Sequence, residues 1–140
     1  MLGAPDVHSD FFRNDAVRFS AMVQEHAGLV HIAEVKGSVV GYVALQHRTH
    51  PAVHGERPLQ LWQLYVAPAF HGTGIAAQLM SVVFELAKLH GNAVVWLGVS
   101  ENNARGIAFY RKHGFQPCGL HNVGAGDHVH PDLLMSCVAR

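Results

Sequence analysis

Residues 66–76 read Val-Ala-Pro-Ala-Phe-His-Gly-Thr-Gly-Ile-Ala. This stretch follows a β-rich run at residues 59–67, which Pro68 ends, and it opens an apolar run with helical spacing over residues 72–90. Two glycines at the start of a helix leave backbone amides uncovered at the positive end of the helix dipole. A strand that turns into a helix in this way is typical of a phosphate site, and a pyrophosphate is the ligand that fits it.

Two other phosphate-binding loops do not match this stretch. The loop of nucleotide triphosphatases requires Gly-Lys-Ser/Thr after its first glycine and four intervening residues, and this chain has no such lysine. The dinucleotide fingerprint Gly-x-Gly-x-x-Gly requires a third glycine, which residues 75–78 do not supply. Both classes of nucleotide site are disfavoured. An interpretation without a ligand stays open, because glycines at a helix start also serve a tight chain reversal alone.

A second helix start lies at residues 99–110, Val-Ser-Glu-Asn-Asn-Ala-Arg-Gly-Ile-Ala-Phe-Tyr. Residues seven apart on a helix differ in direction by only about 20°, so Asn103 and Tyr110 share a face with Gly106 between them. This face is then a groove with an amide at one end and a phenol at the other. The alternative is that Asn103 only caps the helix and Tyr110 is a half-buried core aromatic. Together with the first glycine-rich turn, the groove is favoured as part of the same ligand site.

The rest of the chain is predicted to form one domain over residues 1–140 around these two turns. Apolar spacing and turn residues predict a helix at 10–27, a hairpin of strands 29–35 and 39–46, a strand at 59–67, a helix at 72–90, a strand at 93–99, a helix at 103–113, and closing strands at 115–122 and 128–138. Because a strand–helix–strand crossover lies in the middle, two strands are predicted to pair in parallel inside an otherwise antiparallel sheet. The fold class is α/β (α+β).

Composition narrows the classes of function. Ten Lys and Arg residues are balanced by ten Asp and Glu residues, so no basic face for nucleic acid is expected. The longest mainly apolar stretch, residues 75–89, is interrupted by polar and charged residues, and the first ten residues lack the pattern of a signal peptide. Two cysteines, Cys118 and Cys137, do not make a disulfide framework. We therefore expect a cytoplasmic protein whose partners are neither nucleic acid nor a membrane.

The two turns together resemble the GNAT superfamily of N-acetyltransferases. The coenzyme signature of that family, Arg/Gln-x-x-Gly-x-Gly/Ala after a strand ending in Val-x-Pro, is similar to residues 71–76. Its second signature is similar to Asn103, Ala108, Phe109, Tyr110, Gly114 and Phe115. The resemblance covers residues 28–138. It implies the acyl-CoA N-acyltransferase fold, a mixed, mostly antiparallel sheet with a central parallel pair flanked by helices, shortened at its N-terminal end.

The resemblance also implies an acyltransferase that uses acetyl-CoA as co-substrate and needs no metal. Backbone groups of residues 64–66 would pair with the pantetheine arm and polarise the thioester carbonyl, and amides of residues 72–76 would hold the pyrophosphate. An amine would attack the thioester directly, and Tyr110 would protonate the departing thiolate as the catalytic acid. The coenzyme-binding residues implied are Leu64, Tyr65, Val66, His71, Gly72, Thr73, Gly74, Ile75, Ala76, Asn103, Phe109 and Tyr110.

The acceptor implied by the resemblance is a primary amine, either a small amine or polyamine, or an amine of a protein or peptide. Residues 96–99, Trp-Leu-Gly-Val, and a Gly-Asp-x-x-x-x-Asp-Leu-x-Met pattern ending at Met135 are similar to bacterial polyamine acetyltransferases. A rival hypothesis is a catalytically silent coenzyme A-binding or regulatory module. A plain interaction domain, which would bind no coenzyme, is a third.

Two departures from the family pattern concern chemistry. His71 stands where the family has Arg or Gln, and a mostly neutral imidazole brings little charge to phosphates. Gln60 stands where many relatives carry a glutamate that takes a proton from the amine. Some base is required, because a protonated amine has no lone pair. The open candidates are Glu101, His47 and His54.

A third departure is the short N-terminal part, which would leave the strand at residues 29–35 as an unpaired edge unless a partner subunit covers it, so a homodimer is one expectation. His128 and His130 would share one side of a strand, but no third or fourth ligand is identified, and histidines without metal are favoured. Cys118 and Cys137 could face each other across the last hairpin, although buried thiols are favoured.

Overall fold

The computed structural model describes residues 3–8, 16–25, 28–123 and 130–139. Contacts within the chain group it into two compact units. We call residues 1–47 and 61–86 the first unit, and residues 48–60 and 87–140 the second unit. The single domain expected from chain length stays a prediction.

The first unit is a mostly antiparallel sheet with one long helix. Its elements are β1 Gly3–His8, β2 Ala16–Glu25, β3 Gly28–Val35, β4 Ser38–His47, β5 Leu59–Val66 from residue 61 onward, a 3₁₀ turn Pro68–Phe70, and α1 Ile75–Leu89 through residue 86. β1, β2, β3 and β4 pair in sequence order, each antiparallel to the next. The strands at 29–35, 39–46 and 59–67 and the helix at 72–90 are therefore confirmed with small shifts of their ends.

The helix predicted at residues 10–27 is wrong. Residues 16–25 form β2, which pairs with β3 from Val17↔Val35 to Glu25↔Gly28. The apolar residues fit a helical spacing, but residues 17–24 also alternate, with Val17, Phe19, Ala21 and Val23 separated mainly by polar residues. Pairing with a neighbouring strand decided between the two periods. Because β2 covers β3, the expectation of an exposed edge at residues 29–35 is also wrong, and the argument for a partner subunit there loses its basis.

The hairpin between β3 and β4 has the predicted turn at residues 36–38. Lys36 and Gly37 both have positive φ, 52° and 78°, and Val35 pairs with Ser38 across the turn. Two consecutive left-handed residues are the geometry of a type I′ turn, whose twist matches that of the flanking strands. The glycine supplies the second of these conformations at little steric cost.

Gly41 in β4 allows β5 and α1 to approach closely in the first unit. A Cβ at this position would lie 2.7 Å from the carbonyl oxygen of Tyr65 and 3.2 Å from Cδ1 of Leu79. Real Cβ atoms do not stand that close to a backbone oxygen, so any side chain would push β5 away. A glycine inside a strand often marks such an approach.

We expect Gly41→Ala to lower the free energy of unfolding by about 1–3 kcal/mol, because overpacking against a rigid backbone forces local displacement. Chemical denaturation of the variant and the wild type would measure the difference. Ser38→Ala, an exposed change in the same strand, is the matched control and should have almost no effect. An unfolding midpoint for Gly41→Ala equal to that of the control would contradict this account.

The second unit contains the parallel pair and the rest of the sheet. Its elements are the loop of residues 48–58, the first two residues of β5, the end of α1, β6 Val94–Ser100, α2 Ala104–Lys112, β7 Gln116–Val123 and β8 His130–Val138. β5 pairs in parallel with β6 at Leu59↔Val95 and Gln60↔Trp96. β8 lies antiparallel between β6 and β7. The mixed sheet with a parallel pair and two helices confirms the predicted acyl-CoA N-acyltransferase fold.

The loop of residues 48–58 closes a small apolar core in the second unit. Val53 from the loop packs with Val94, Trp96 and Leu134, and Ala52 and Cys118 lie against them. Both cysteines are free thiols; Cys137 is buried, as favoured from the sequence, and Cys118 is only partly buried. The predicted turn at residues 124–126 and His128 lie outside the described residues. Among the helices of the described part of the chain, none has the length and apolarity needed to cross a membrane.

Candidate functional site

The glycine-rich turn of the first unit is held by short-range hydrogen bonds. The amide of His71 donates to the Pro68 carbonyl at 3.1 Å, and the amide of Thr73 donates to the Phe70 carbonyl at 3.3 Å. The hydroxyl of Thr73 donates to the same Phe70 carbonyl at 2.5 Å. Gly72 and Gly74 have φ of 78° and 90°, a region that favours glycine. The turn therefore has a defined backbone shape that depends on both glycines.

Several amides at this turn have no recorded acceptor among the described residues. The first intrahelical bond of α1 runs from the Gln78 amide to the Gly74 carbonyl at 3.1 Å. Within the described residues, no acceptor is recorded for the amides of Gly72, Gly74, Ile75 and Ala76. The first turn of α1 contains no acidic residue that would neutralise the helix dipole. A Cβ at Gly72 would meet nothing within 4 Å, so space is open there. These features suit a bound anion, although the Thr73 amide is already engaged.

The last three residues of β5, which precede the turn, differ in their exposure to solvent. Leu64 is half-buried, Tyr65 is exposed and Val66 is buried. The ring of Tyr65 lies 5.6 Å from the ring of Tyr42 on β4. The amide of Ala67 donates to the Val40 carbonyl at 2.8 Å, which fixes the end of β5 on β4. Gly41 on β4, which allows this end of β5 to approach, is not among the predicted site residues, although a glycine inside a β-pattern is a recognised signal of close backbone approach.

His71 is turned toward its own strand. Its Nε2 lies 2.9 Å from the Val66 carbonyl, and because a carbonyl can only accept, Nε2 carries the proton. In the neutral ring Nδ1 then has a lone pair and no proton. A neutral His71 consequently has no N–H left to donate to a phosphate. This geometry and the low charge of the imidazole both indicate that His71 contributes little to phosphate binding.

Asn103 is the N-cap of α2. Its Oδ1 accepts from the Gly106 amide at 2.9 Å, and a Cβ at Gly106 would lie only 2.6 Å from Nδ2 of Asn103. The capping interpretation of Asn103 is confirmed. The space above Gly106 is therefore filled by the amide of Asn103 itself, and Nδ2 remains as the donor at that end of the helix face.

A Schellman motif ends α2 and positions Tyr110. The amide of Phe115 donates to the Tyr110 carbonyl at 3.0 Å, and the amide of Gly114 donates to the Arg111 carbonyl at 3.0 Å. Gly114 has φ of 96°, as the C′ residue of this motif requires. The ring of Phe115 is fully buried and lies 5.8 Å from the ring of Tyr110. The Phe-Tyr…Gly-Phe pattern is thus a helix stop that holds the tyrosine against a core aromatic.

The surroundings of Tyr110 favour the protonated form of its phenol. Its ring also contacts Phe109 edge-on at 5.5 Å, and burial raises the pKa of the Tyr110 hydroxyl above its usual value of 10.0. In the part of the chain that the structure describes, no hydrogen bond is recorded for this hydroxyl. His113 stacks on Phe109 at 4.6 Å, and its pKa is lowered by burial and by the charge of Lys112. A half-buried phenol that keeps its proton, and whose O–H has no recorded acceptor in the described ranges, can act as a general acid.

The predicted site residues fall into two groups. Leu64, Tyr65, Val66, His71, Gly72, Thr73, Gly74, Ile75 and Ala76 lie together in the first unit, and Asn103, Phe109 and Tyr110 lie together in the second. The candidate bases Glu101, His47 and His54 are all exposed. Gln60, which stands where many relatives carry a glutamate, is half-buried and pairs with Trp96. The described ranges contain no group of three or more His, Cys, Asp or Glu residues arranged to hold a metal.

Comparisons with known proteins give one family. The sequence model of the acetyltransferase (GNAT) family matches residues 4–115. An uncharacterised N-acetyltransferase of Mycobacterium bovis is 35% identical over 121 residues, which cover 86% of this chain and 73% of the relative. A ribosomal-protein-alanine N-acetyltransferase structure from Brucella melitensis has a TM-score of 0.66 at 30% identity, covering 79% of this chain and 68% of that one.

A GNAT acetyltransferase of Elizabethkingia anophelis, solved with acetyl-CoA bound, has a TM-score of 0.64 at 17% identity and covers 80% of this chain and 76% of its own. This likeness concerns the fold, and the family rests on the sequence matches. The chain therefore belongs to the acetyltransferase (GNAT) family and is an acetyl-CoA-dependent N-acetyltransferase.

Proposed function

We propose that the chain transfers the acetyl group of acetyl-CoA to a primary amine by direct attack, with the coenzyme pyrophosphate held at the turn before α1. The observation that carries this proposal is the set of amides at Gly72, Gly74, Ile75 and Ala76, for which no acceptor is recorded in the described part of the chain. They lie at a helix start without a compensating acid. Such amides bind phosphate oxygens by charge-assisted hydrogen bonds.

Two further groups act on the thioester in this proposal. Backbone groups of residues 64–66 pair with the pantetheine arm and stabilise the negative charge that forms on the carbonyl oxygen. As the amine nitrogen bonds to the carbonyl carbon, the carbon–sulfur bond breaks. Tyr110 then donates its proton to the thiolate, and the family resemblance and its raised pKa both support that role. Asn103 adds its Nδ2 donor, and Phe109 supports the ring of Tyr110.

The finer identity of the acceptor is also part of the proposal. The Brucella relative is named for the alanine amine of a ribosomal protein. The residues that resemble polyamine acetyltransferases, 96–99 and 126–135, point instead to a small cationic amine. Both are primary amines, and this class is what we propose.

One experiment tests the proposed function. Acetyl-CoA is titrated against the full chain by thermal shift, and release of coenzyme thiol is then followed with polyamines, peptides with free N-termini and simple amines. Stabilisation by acetyl-CoA together with amine-dependent thiol release is the expected result. Stabilisation without thiol release would favour the silent coenzyme A-binding module, and neither effect would favour an interaction domain.

We expect His71→Arg to tighten coenzyme A binding about fivefold, or roughly 1 kcal/mol, because an arginine adds a charged donor where the neutral imidazole offers none. Isothermal titration with coenzyme A measures the dissociation constant. Glu85→Gln, an exposed change far along α1 with the same effect on net charge, is the control. Equal affinities for the two variants would show that position 71 does not face the phosphates.

The raised pKa of Tyr110 predicts the alkaline limb of the rate profile. A general acid works only while it is protonated, so activity is present below its pKa and lost as pH rises through it. Because burial raises this pKa, the limb due to Tyr110 should lie above pH 10 in kcat. Initial rates between pH 6 and 10.5 test this, and a tyrosine-dependent loss of kcat near neutrality would contradict it.

A further inference from the structure

One face of β6 in the second unit has a polar end that the proposed function does not use. Trp96 and Gly98 share this face, because strand residues two apart point to the same side. The loop of residues 48–58 lies over it, with the Trp96 indole donating to the Arg48 carbonyl at 2.8 Å. The ring of His50 lies 5.5 Å from the ring of Trp96. The loop is therefore fixed over Trp96, two residues before Gly98.

A carboxylate and an imidazole lie on neighbouring strands at this end of the face. His121 and Asp132 are directly opposite each other in the β7–β8 ladder, so their Cβ atoms are about 5 Å apart on one side of the sheet. The carboxylate of Asp132 lies over Gly98, where an added Cβ would stand 3.4 Å from Oδ2. The exposed ring of His121 meets the ring of His50 edge-on, at 5.5 Å and 84°.

Neither polar group is committed elsewhere in the described ranges. No hydrogen bond or ion pair with described residues is recorded for the Asp132 carboxylate or for the ring nitrogens of His121. Because Gly98 has no side chain, the space in front of the carboxylate is bounded by Asp132 itself and by Leu134, whose Cδ2 would lie 3.6 Å from an added Cβ. A partly exposed carboxylate with a neighbouring imidazole suits a ligand that carries a positive charge and a transferable proton.

His50 is a poor proton acceptor, which leaves His121 in that role. The amide of Ala52 donates to Nδ1 of His50 at 3.0 Å, so the neutral ring carries its proton on Nε2. Protonating Nδ1 would break this bond to the loop. His121 has no such bond, and the charged or titratable groups that face it are Asp132 from β8 and His50 from the loop.

We propose that Asp132 and His121 form the acceptor subsite, in which Asp132 binds the ammonium group and His121 is the base. This inference rests on the proposed function. Gly98 lies two residues beyond Trp96, whose pairing with Gln60 is the last of the parallel ladder. One N–H proton of the ammonium passes to the neutral imidazole of His121 and then to solvent, which frees the lone pair for attack. The nitrogen loses its second proton to solvent as the carbon–sulfur bond breaks, and solvent returns one proton to Tyr110, which has given its own to the thiolate, so one proton is released in each turnover.

The test compares two nucleophiles in the full chain. n-Butylamine is protonated at neutral pH, so it needs a carboxylate to bind its ammonium group and a base to remove a proton. Methoxyamine is neutral at this pH and needs neither. We expect His121→Gln to lower kcat for n-butylamine about 100-fold and Asp132→Asn to raise its KM about tenfold. Rates with methoxyamine should change less than about threefold in both variants, as should coenzyme binding by isothermal titration. Glu56→Gln, which removes an exposed acid from the loop of residues 48–58, is the control for a charge change.

The outcomes separate this subsite from the proposed function. Wild-type turnover with equal losses for both nucleophiles in the variants would indicate a structural role and overturn the subsite alone. Unchanged rates with n-butylamine in both variants would overturn it as well and leave Glu101, His47 and His54 as the candidate bases. Absence of thiol release from the wild type with all of the polyamines, peptides and simple amines, n-butylamine included, would overturn the proposed function and the subsite with it.

Discussion

Tyr110→Phe should lower kcat for acetyl transfer by about 10²–10³-fold while the dissociation constant of acetyl-CoA changes less than about twofold. The substitution removes only the hydroxyl. The ring contacts with Phe109 and Phe115 and the Schellman motif do not involve that hydroxyl, so the end of α2 is preserved. The thiolate must then leave without its internal proton donor. Stopped assays of thiol release at saturating acetyl-CoA measure kcat, and isothermal titration measures binding.

Tyr42→Phe is a matched control for this change. It removes a phenol hydroxyl from a partly buried tyrosine whose ring packs on another aromatic in the first unit. We expect its kcat to stay within about twofold of the wild type. If Tyr110→Phe retained full turnover at saturating substrate, Tyr110 would lose the catalytic role and serve only as the hydrophobic partner of Phe115.

The second large effect is expected from Gly72→Val, which should weaken coenzyme A binding about 100-fold, or about 2.8 kcal/mol. The change places a branched side chain in the open space before the free amides and strains a residue with φ of 78°. Loss of about two charge-assisted hydrogen bonds to phosphate accounts for an effect of this size. Isothermal titration with coenzyme A would measure it.

Gly37→Val is an unusually close control for Gly72→Val. Gly37 has the same φ of 78°, an added Cβ there also meets nothing within 4 Å, and it lies in the β3–β4 turn of the same unit. Both variants should lose a similar stability, about 1–2 kcal/mol, from the left-handed conformation of a branched residue. Only Gly72→Val should lose coenzyme affinity. Equal affinities for the two variants would show that the amides of this turn do not bind the pyrophosphate.

The sequence predicted local structure best where one residue type has few alternatives. The hairpin predicted between residues 35 and 39 and the helix end predicted at residue 113 each coincide with a glycine, Gly37 and Gly114, and both have the positive φ that those positions require. The parallel pair also followed from sequence, because a strand–helix–strand crossover admits few arrangements. Residues 16–25 were mistaken for part of a helix because two periods coexist there, and only pairing with β3 selects the strand.

The sequence predicts which residues belong to the candidate site, but it does not predict which hydrogen bonds their side chains make within the fold. Asn103 caps α2 and fills the space over Gly106, which an idealised helix face does not reveal. The bond from His71 to the Val66 carbonyl depends on a side-chain rotation that no spacing rule fixes. His121 and Asp132 are eleven residues apart, and a bulge between residues 117 and 119 helps set the register that makes them neighbours.

The most direct test of the central claim is a crystal structure of the chain with acetyl-CoA bound. We expect diphosphate oxygens within about 3.2 Å of the amides of Gly72, Gly74, Ile75 and Ala76, and the Tyr110 hydroxyl within about 3.5 Å of the thioester sulfur. A diphosphate bound away from this turn, or a sulfur that Tyr110 cannot reach, would contradict it.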